Sequence, residues 1–265
     1  MLRSTDPVDY QTVPRPVAAM AKAFPDGFHI SRHHHQRDQL IWSVSGTMRV
    51  RTDEEAWLVP PDRAVWVPAY QDHAIDMRGE AAMRTLYVRP GAVGGLPDQP
   101  TVLEMSTLLR ALILALVVEP VLYDEAGRGG AIAALILSEI TVAPRLPLVL
   151  PMPRDARLQR VCAALLENPS SDLTLDGWSE QAGASARTLA RLFEREVGLS
   201  FAAWRQRVRF HGALEALSDG GPIGVVARRF GYRSPSAFSA AFRKAMGVAP
   251  SAVARDDGQR RQFGA

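Results

Sequence analysis

The sequence predicts an α+β multidomain chain: a β-barrel in front, a central pair of helices, and an all-α carboxyl-terminal part with two helix-turn-helix units. Three observations carry this. Short apolar runs separated by turn residues fill roughly the first 90 residues, a pattern of many short strands in a barrel or sandwich. Two Leu- and Ala-rich runs follow, nearly apolar all round. A helix, a glycine turn and a serine-started helix then occur twice, 49 residues apart.

The strand pattern is clearest in "QLIWSVSGTMRVRT", which alternates and turns at Ser45–Gly46. "EAWLVPPDRAVWVPAYQDHAI" and "MRTLYVRP" continue it, broken by prolines. Residues 1–95 are expected to form this domain. Residues 96–150 are expected to be a helical linker, with "STLLRALILALVVEPVLY" and "AIAALILSEI" as helices. Helices this apolar need burial on more than one side, so they are expected to carry a homodimer contact through residues such as Leu112 and Leu116. The alternative is packing on the barrel.

The proline-rich "APRLPLVLPMPRD" marks the boundary, since proline stiffens the chain and removes backbone donors. Residues 151–255 are read as the helical domain, and 256–265 as a flexible tail.

Composition narrows the function. With 265 residues, 47% hydrophobic and 22% charged, the chain is long enough for two cores. Its single cysteine, Cys162, excludes an internal disulfide framework. The start "MLRSTDPVDY" does not read as a signal peptide, and "ALILALVV" falls short of the ~20 residues of a membrane span. A cytoplasmic protein with no membrane partner is expected. Residues 154–265 carry 17 Lys and Arg against 11 Asp and Glu, whereas residues 1–153 carry 14 against 17. A basic back beside an acidic front suggests two tasks, one of them involving a polyanion.

In "SARTLARLFEREVGLS", Arg187, Arg191 and Arg195 recur every four residues, opposite Leu189, Leu192, Phe193 and Val197. Aligning Ser185 with Ser234 brings Leu189 onto Phe238, Phe193 onto Phe242 and Gly198 onto Gly247. Each serine is an N-cap, and Pro235 adds a first-turn proline. Candidate DNA contacts are Ser185, Arg187, Thr188, Arg191 and Arg195 in the first unit. In the second they are Ser234, Ser236, Ser239, Ala240, Arg243 and Lys244. The intervening "FAAWRQRVRFHGALEAL" has helical periodicity over about 25 Å, suited to setting two recognition helices about one DNA turn, ~34 Å, apart. Its Arg205, Arg207 and Arg209 are expected to touch phosphate or to be solvated.

On these residues, 155–254 resemble the DNA-binding domain of the AraC/XylS family of transcription regulators. The second unit, "IGVVARRFGYRSPSAFSAAFRKAMGVAP", carries the signature, with Phe230–Gly231–Tyr232, Phe238, Phe242, Gly247 and Pro250 in place. The family's usual arginine is Ala240 here, and its closing tyrosine-arginine pair is Val253–Ala254. The resemblance implies promoter DNA, a small-molecule effector and RNA polymerase as partners.

In front, His33-x-His35-x3-Gln39-x6-Gly46, followed by His73, is similar to the two cupin motifs. The resemblance implies a cupin-like barrel and makes His33, His35 and His73 a candidate divalent-metal site. The cupin glutamate is Gln39 here, a poorer ligand, and the second motif's glycine is Tyr70. The expected ligand pocket comprises His33, His35, Gln39, Trp42, Trp66 and His73, with Trp57 another aromatic candidate. A cupin metalloenzyme with a helical appendage is the competing reading, and an architectural nucleoid protein a third. Two matched recognition helices favour the regulator, and no catalytic residue is assigned.

Overall fold

A computed structural model describes residues 4–146, 149–218, 220–246 and 249–254. The expected flexible tail lies outside the described residues. The chain divides into two compact units, 1–52 with 59–146 and 53–58 with 147–265.

The front unit contains strands β1 (Val17–Phe24), β2 (His29–His33), β3 (Asp38–Ser43), β4 (Thr47–Arg51), β6 (Arg63–Val67), β7 (His73–Arg78), β8 (Ala81–Val88), β9 (Thr101–Glu104) and β10 (Arg145–Leu146). Most of β5 (Glu55–Val59) groups with the second unit. The strands form two sheets rather than the expected closed barrel. The larger runs β1-β8-β3-β6-β9-β10, and β4-β7-β2 lie in the other.

Side-chain alternation gives the larger sheet two different faces. Leu40, Trp42, Ala64, Trp66, Leu86 and Val88 point to one side, where they pack with helices α1 (Thr107–Val118) and α2 (Arg128–Val142). Leu109, Leu112, Ile113 and Leu116 of α1 are buried there, with Ile132, Ala133, Ile136, Leu137 and Ile140 of α2. This corrects one expectation. Leu112 and Leu116 belong to this unit's own core, and the all-round apolarity of the helices is mostly consumed by the sheet and by each other. Exposed apolar side chains remain at Leu108, Leu135 and Val142. The expected helical stretch also begins with strand β9, because Thr101–Glu104 pairs with β6 before the chain turns at the Ser106 cap.

In the second unit, β5 pairs with β11 (Leu150–Pro151), Ala56 opposite Leu150. Helices follow: α3 (Ala156–Glu167), α4 (Leu175–Ala182), α5 (Ala186–Val197), α6 (Phe201–Ser218), α7 (Ile223–Arg229), α8 (Pro235–Met246) and α9 (Pro250–Ala254). One core joins Leu158, Val161, Cys162, Leu165, Trp178, Leu189, Leu192, Phe193 and Trp204. A second is aromatic, with Phe210, Tyr232, Phe238 and Phe242 in mutual ring contact.

Helix α6 contributes Trp204 to the first core and Phe210 to the second, and at 18 residues it is about 27 Å long. Gly212 lets it approach closely, since a Cβ there would lie 2.9 Å from the Phe230 ring and from Pro169.

Candidate functional site

The two helix-turn-helix units are built alike. Gly183 (φ 67°) ends α4, with its N–H bonded to Glu180 and that of Ala184 to Ser179. Gly231 (φ 86°) follows α7 with the same pair of bonds, its N–H to Arg228 and that of Tyr232 to Ala227. Both turns need a residue in the left-handed region, which glycine enters without a Cβ penalty. The one-residue difference between the units therefore lies between glycine and cap: Ala184 in the first, Tyr232–Arg233 in the second.

Ser185 Oγ accepts from the Thr188 N–H at 3.3 Å, and Ser234 Oγ from the Ser236 N–H at 3.2 Å, so both serines cap their helices. Leu189, Phe193 and Val197 of α5 are buried, as are Phe238, Phe242 and Met246 of α8.

The opposite faces carry the predicted DNA residues. Arg187 and Arg191 are exposed and, among the described residues, make no ion pair or hydrogen bond. Arg195 is exposed too but pairs with Glu196 at 3.0 Å. Glu196 also accepts from the Arg154 and Asp155 backbone N–H groups, and these contacts lower its carboxyl pKa, the Asp155 bond foremost. On α8, Ser236, Ala240, Arg243 and Lys244 are exposed, and the Ser239 hydroxyl donates to the Pro235 carbonyl at 2.8 Å.

Two of the three α6 arginines depart from expectation, while Arg207 is exposed. Arg205 donates to the Leu173 carbonyl at 2.9 Å, and Arg209 to the Ser171 carbonyl at 3.1 Å and Asp172 at 2.5 Å. Both fasten the segment entering α4 instead of standing free for phosphate.

In the front unit, His33 from β2, His35 from the loop after it and His73 from β7 converge, one ring nitrogen of each lying within 4.8 Å of the others. Register explains the meeting, because His33 and His73 are directly paired across β2 and β7. Tyr70 ties the two loops by donating its N–H to the His35 carbonyl at 2.8 Å. It does so at φ 62°, a conformation costing a non-glycine residue roughly 1 kcal/mol or more.

The histidine protonation states follow from their partners. His33 Nδ1 lies 2.7 Å from the Ser31 carbonyl and His73 Nδ1 2.9 Å from the Gln71 carbonyl. A carbonyl only accepts, so in both rings Nδ1 carries a proton and Nε2 is the nitrogen left to act as a ligand. Burial, then His33 and His73, lowers the His35 pKa to about 3; burial chiefly lowers that of His73 to about 4. The buried Nε2 atoms of His35 and His73 have no partner. Three imidazoles with one nitrogen each so close together fit a divalent transition metal.

Gln39 is buried, opposite Tyr87 across β3 and β8, and the Tyr87 ring packs edge-on against His35. Trp42 and Trp66, expected in the pocket, lie on the other face of the sheet beneath α1 and α2. Their indole N–H groups donate to the Pro61 and Pro97 carbonyls, which fixes them as core. Trp57 is also buried and makes no case for a pocket wall. Sequence reasoning missed Thr85 and Tyr87, both on β8. No local motif marks them, and only strand register brings them beside Gln39.

Comparison with known proteins gives two family matches, an "AraC-like ligand binding domain" over residues 19–192 and a "Helix-turn-helix domain" over residues 178–256. The HTH-type transcriptional regulator NimR of Escherichia coli (strain K12) is 30% identical over 82% of this chain and 80% of its own. The HTH-type transcriptional regulator RipA of Corynebacterium glutamicum is 37% identical over 45% of this chain and 34% of its own. Among solved structures, ToxT of Vibrio cholerae matches at 12% identity and a TM-score of 0.36, covering 89% of this chain and 94% of that one.

Proposed function

Because the chain belongs to the AraC family of transcription regulators, we propose that it reads promoter DNA through α5 and α8 and answers to an effector held near His33, His35 and His73. The DNA-binding regulator class, with its ligand-binding domain, comes with the family.

The exposed, unpaired guanidinium groups of Arg187 and Arg191 at the start of a capped helix carry it. Of the nearby arginines, Arg205 and Arg209 are fastened to carbonyls and Arg195 to Glu196. Arg228, Arg233 and Arg243 are exposed like Arg187 and Arg191, which differ in standing together on the outer face of a serine-capped helix. Two guanidiniums left free one turn apart suit phosphate and guanine recognition. The reading extends to a homodimer, to RNA polymerase as a partner at the promoter, to a cytoplasmic location and to the absence of catalysis. In support, the relatives are named transcriptional regulators, and no helix among the described residues is long and apolar enough to cross a membrane.

Selection of binding sites from randomised duplex DNA tests the reading. Recovery of two spaced motifs about one helical turn apart is expected. A pool with no enriched sequence would refute it.

A further inference from the structure

The two helix-turn-helix units match in backbone and differ in charge. Residues 175–197, from α4 to the end of α5, hold three arginines against Asp176, Glu180, Glu194 and Glu196, a net of −1. Residues 223–246, from α7 to the end of α8, hold Arg228, Arg229, Arg233, Arg243 and Lys244 and no carboxylate, a net of +5. The cationic surplus of the carboxyl-terminal part is thus concentrated in one unit.

The contrast falls on equivalent positions. The Glu180 carbonyl accepts from the Gly183 N–H and the Arg228 carbonyl from the Gly231 N–H, so these two residues hold the same place ahead of their turns. With the serine caps aligned, Glu194 of α5 matches Arg243 of α8. All four side chains are exposed. Twice, therefore, a negative group in the first unit stands where the second has a positive one.

The five cations of the second unit are exposed and, among the described residues, make no ion pair or hydrogen bond. Arg229 rests over the ring of its neighbour Phe230, 5.5 Å from the centroid. The Arg228 guanidinium lies beside the start of α8, since a Cβ on Gly224 would fall 3.8 Å from its Nη1 and 3.9 Å from the Pro235 ring. Arg243 and Lys244 occupy the last turn of α8, about 12 Å further along its axis. The major groove of B-DNA is about 12 Å wide, so cations at the two ends of such a helix reach the phosphates on both of its walls. Between them face Ser236 and Ala240, which are too short to grip base edges.

We propose that the α7–α8 unit is the phosphate anchor of the domain. It holds the DNA backbone whatever the sequence, while the α4–α5 unit, with no surplus of charge, supplies the sequence reading. The inference rests on the DNA-binding reading above. An acidic protein surface would also attract five cations. The DNA backbone suits them better, because the first helix of such a unit crosses the backbone and the cations run from α7 through the turn into α8.

The full chain would be titrated with its selected duplex and with a random-sequence duplex of equal length, at several KCl concentrations, by fluorescence anisotropy. Each neutralised phosphate steepens the slope of log affinity against log salt by about 0.9, so a wild-type slope of at least about 4 in magnitude is expected on random DNA. Arg228→Gln with Arg243→Gln should reduce it by about 2 and weaken both duplexes by one common factor, at least about tenfold. Lysine at the same two positions should restore both, because a phosphate asks for charge and not for a planar fork. Glu180→Arg should do the reverse, steepening the slope by about 1 and tightening both duplexes. A wild-type slope below about 4, which needs no variant to fold, would overturn the proposal. So would a loss confined to the selected duplex, or unchanged DNA binding by the double variant, the result expected if the cations serve an acidic protein. Should selection enrich no sequence while random DNA keeps this dependence, the regulator reading fails and the anchor stands. Sequence-specific binding indifferent to these changes overturns the anchor alone.

Discussion

Arg209 on α6 donates to the Ser171 carbonyl at 3.1 Å and sits with its side chain mostly buried, 13% exposed. The same guanidinium lies 3.4 Å from where a Cβ on Gly231 would fall. One side chain therefore borders both helix-turn-helix units, the entry to α4 on one side and the turn before α8 on the other. A cation in this position is a strut.

Arg209→Ala is accordingly expected to lower stability by about 1–2 kcal/mol through lost packing and hydrogen bonding. Denaturant midpoints would show it. A phosphate-contacting arginine would instead reduce the slope of log affinity against log salt by about 1 on removal. We expect that slope to stay as it is, and a reduced slope with unchanged stability would return Arg209 to the DNA.

His211, one helical turn before Glu215 on α6, is buried, and burial, then nearby Arg207, lowers its pKa from 6.5 to about 4. The folded state binds the proton less readily than the unfolded chain. Stability is therefore complete above pH 6.5 and is lost as pH falls towards 4. Between pH 7.5 and pH 5 the loss from this one residue is about 2 kcal/mol. His35 and His73 act with the same sign, so the wild type must be compared with His211→Gln. Denaturant unfolding of both proteins at the two pH values isolates the contribution. Parallel pH dependence in the two proteins would show that His211 is not responsible.

Leu135 and Val142 are exposed, seven residues apart on one face of α2, and are the natural places to test the proposed homodimer contact, since Leu112 and Leu116 are buried. Leu135→Glu with Val142→Glu is expected to give a folded monomer in sedimentation, with stability changed by less than about 0.5 kcal/mol. Leu112→Glu should instead unfold the front unit, because it places a charge in the core. A double variant that remains dimeric would move the contact elsewhere.

These cases show what the sequence could and could not reveal. The helix-turn-helix units were legible because their signals are local: glycine turn, serine cap, and apolar residues at helical spacing. The one-residue difference between the turns can be counted directly, Ala184 in the first and Tyr232–Arg233 in the second. The histidines were legible as a cluster from their motif spacing, although His35 lies in the loop just after β2 and not on the strand with His33. The fate of Trp42 and Trp66 was hidden, because alternation assigns faces without saying which face meets the helices. Arg205 and Arg209 were hidden for a related reason. A long side chain on a helix reaches any neighbour within several ångströms, and here the neighbour is the loop before α4. The Gln39–Thr85 bond joins residues 46 apart, and only sheet register brings them together.

The free guanidiniums of α5 lead to the last expectation. Arg187 aligns with Ser236, Arg191 with Ala240 and Arg195 with Lys244, and all six are exposed. The first helix thus offers two long, forked donors where the second offers a hydroxyl and a methyl. Arginine can bond guanine O6 and N7 together, whereas alanine meets only a thymine methyl and serine a single acceptor. Arg195 is drawn towards Glu196 and Lys244 sits two turns from its cap, so both suit backbone contacts better than base reading. Unequal half-sites follow, with a strict G-containing one under α5 and a lax one under α8. Arg191→Ala should weaken the preferred sequence by about 1–3 kcal/mol and relax one base pair, with fold stability unchanged because the side chain is exposed and makes no hydrogen bond or ion pair. Ala240→Arg should tighten binding and create a base preference under α8. Sequencing of selected sites for the three proteins decides the matter. Equal constraint in both half-sites, or a uniform loss across all sequences in Arg191→Ala, would reduce the stripe to an electrostatic handle.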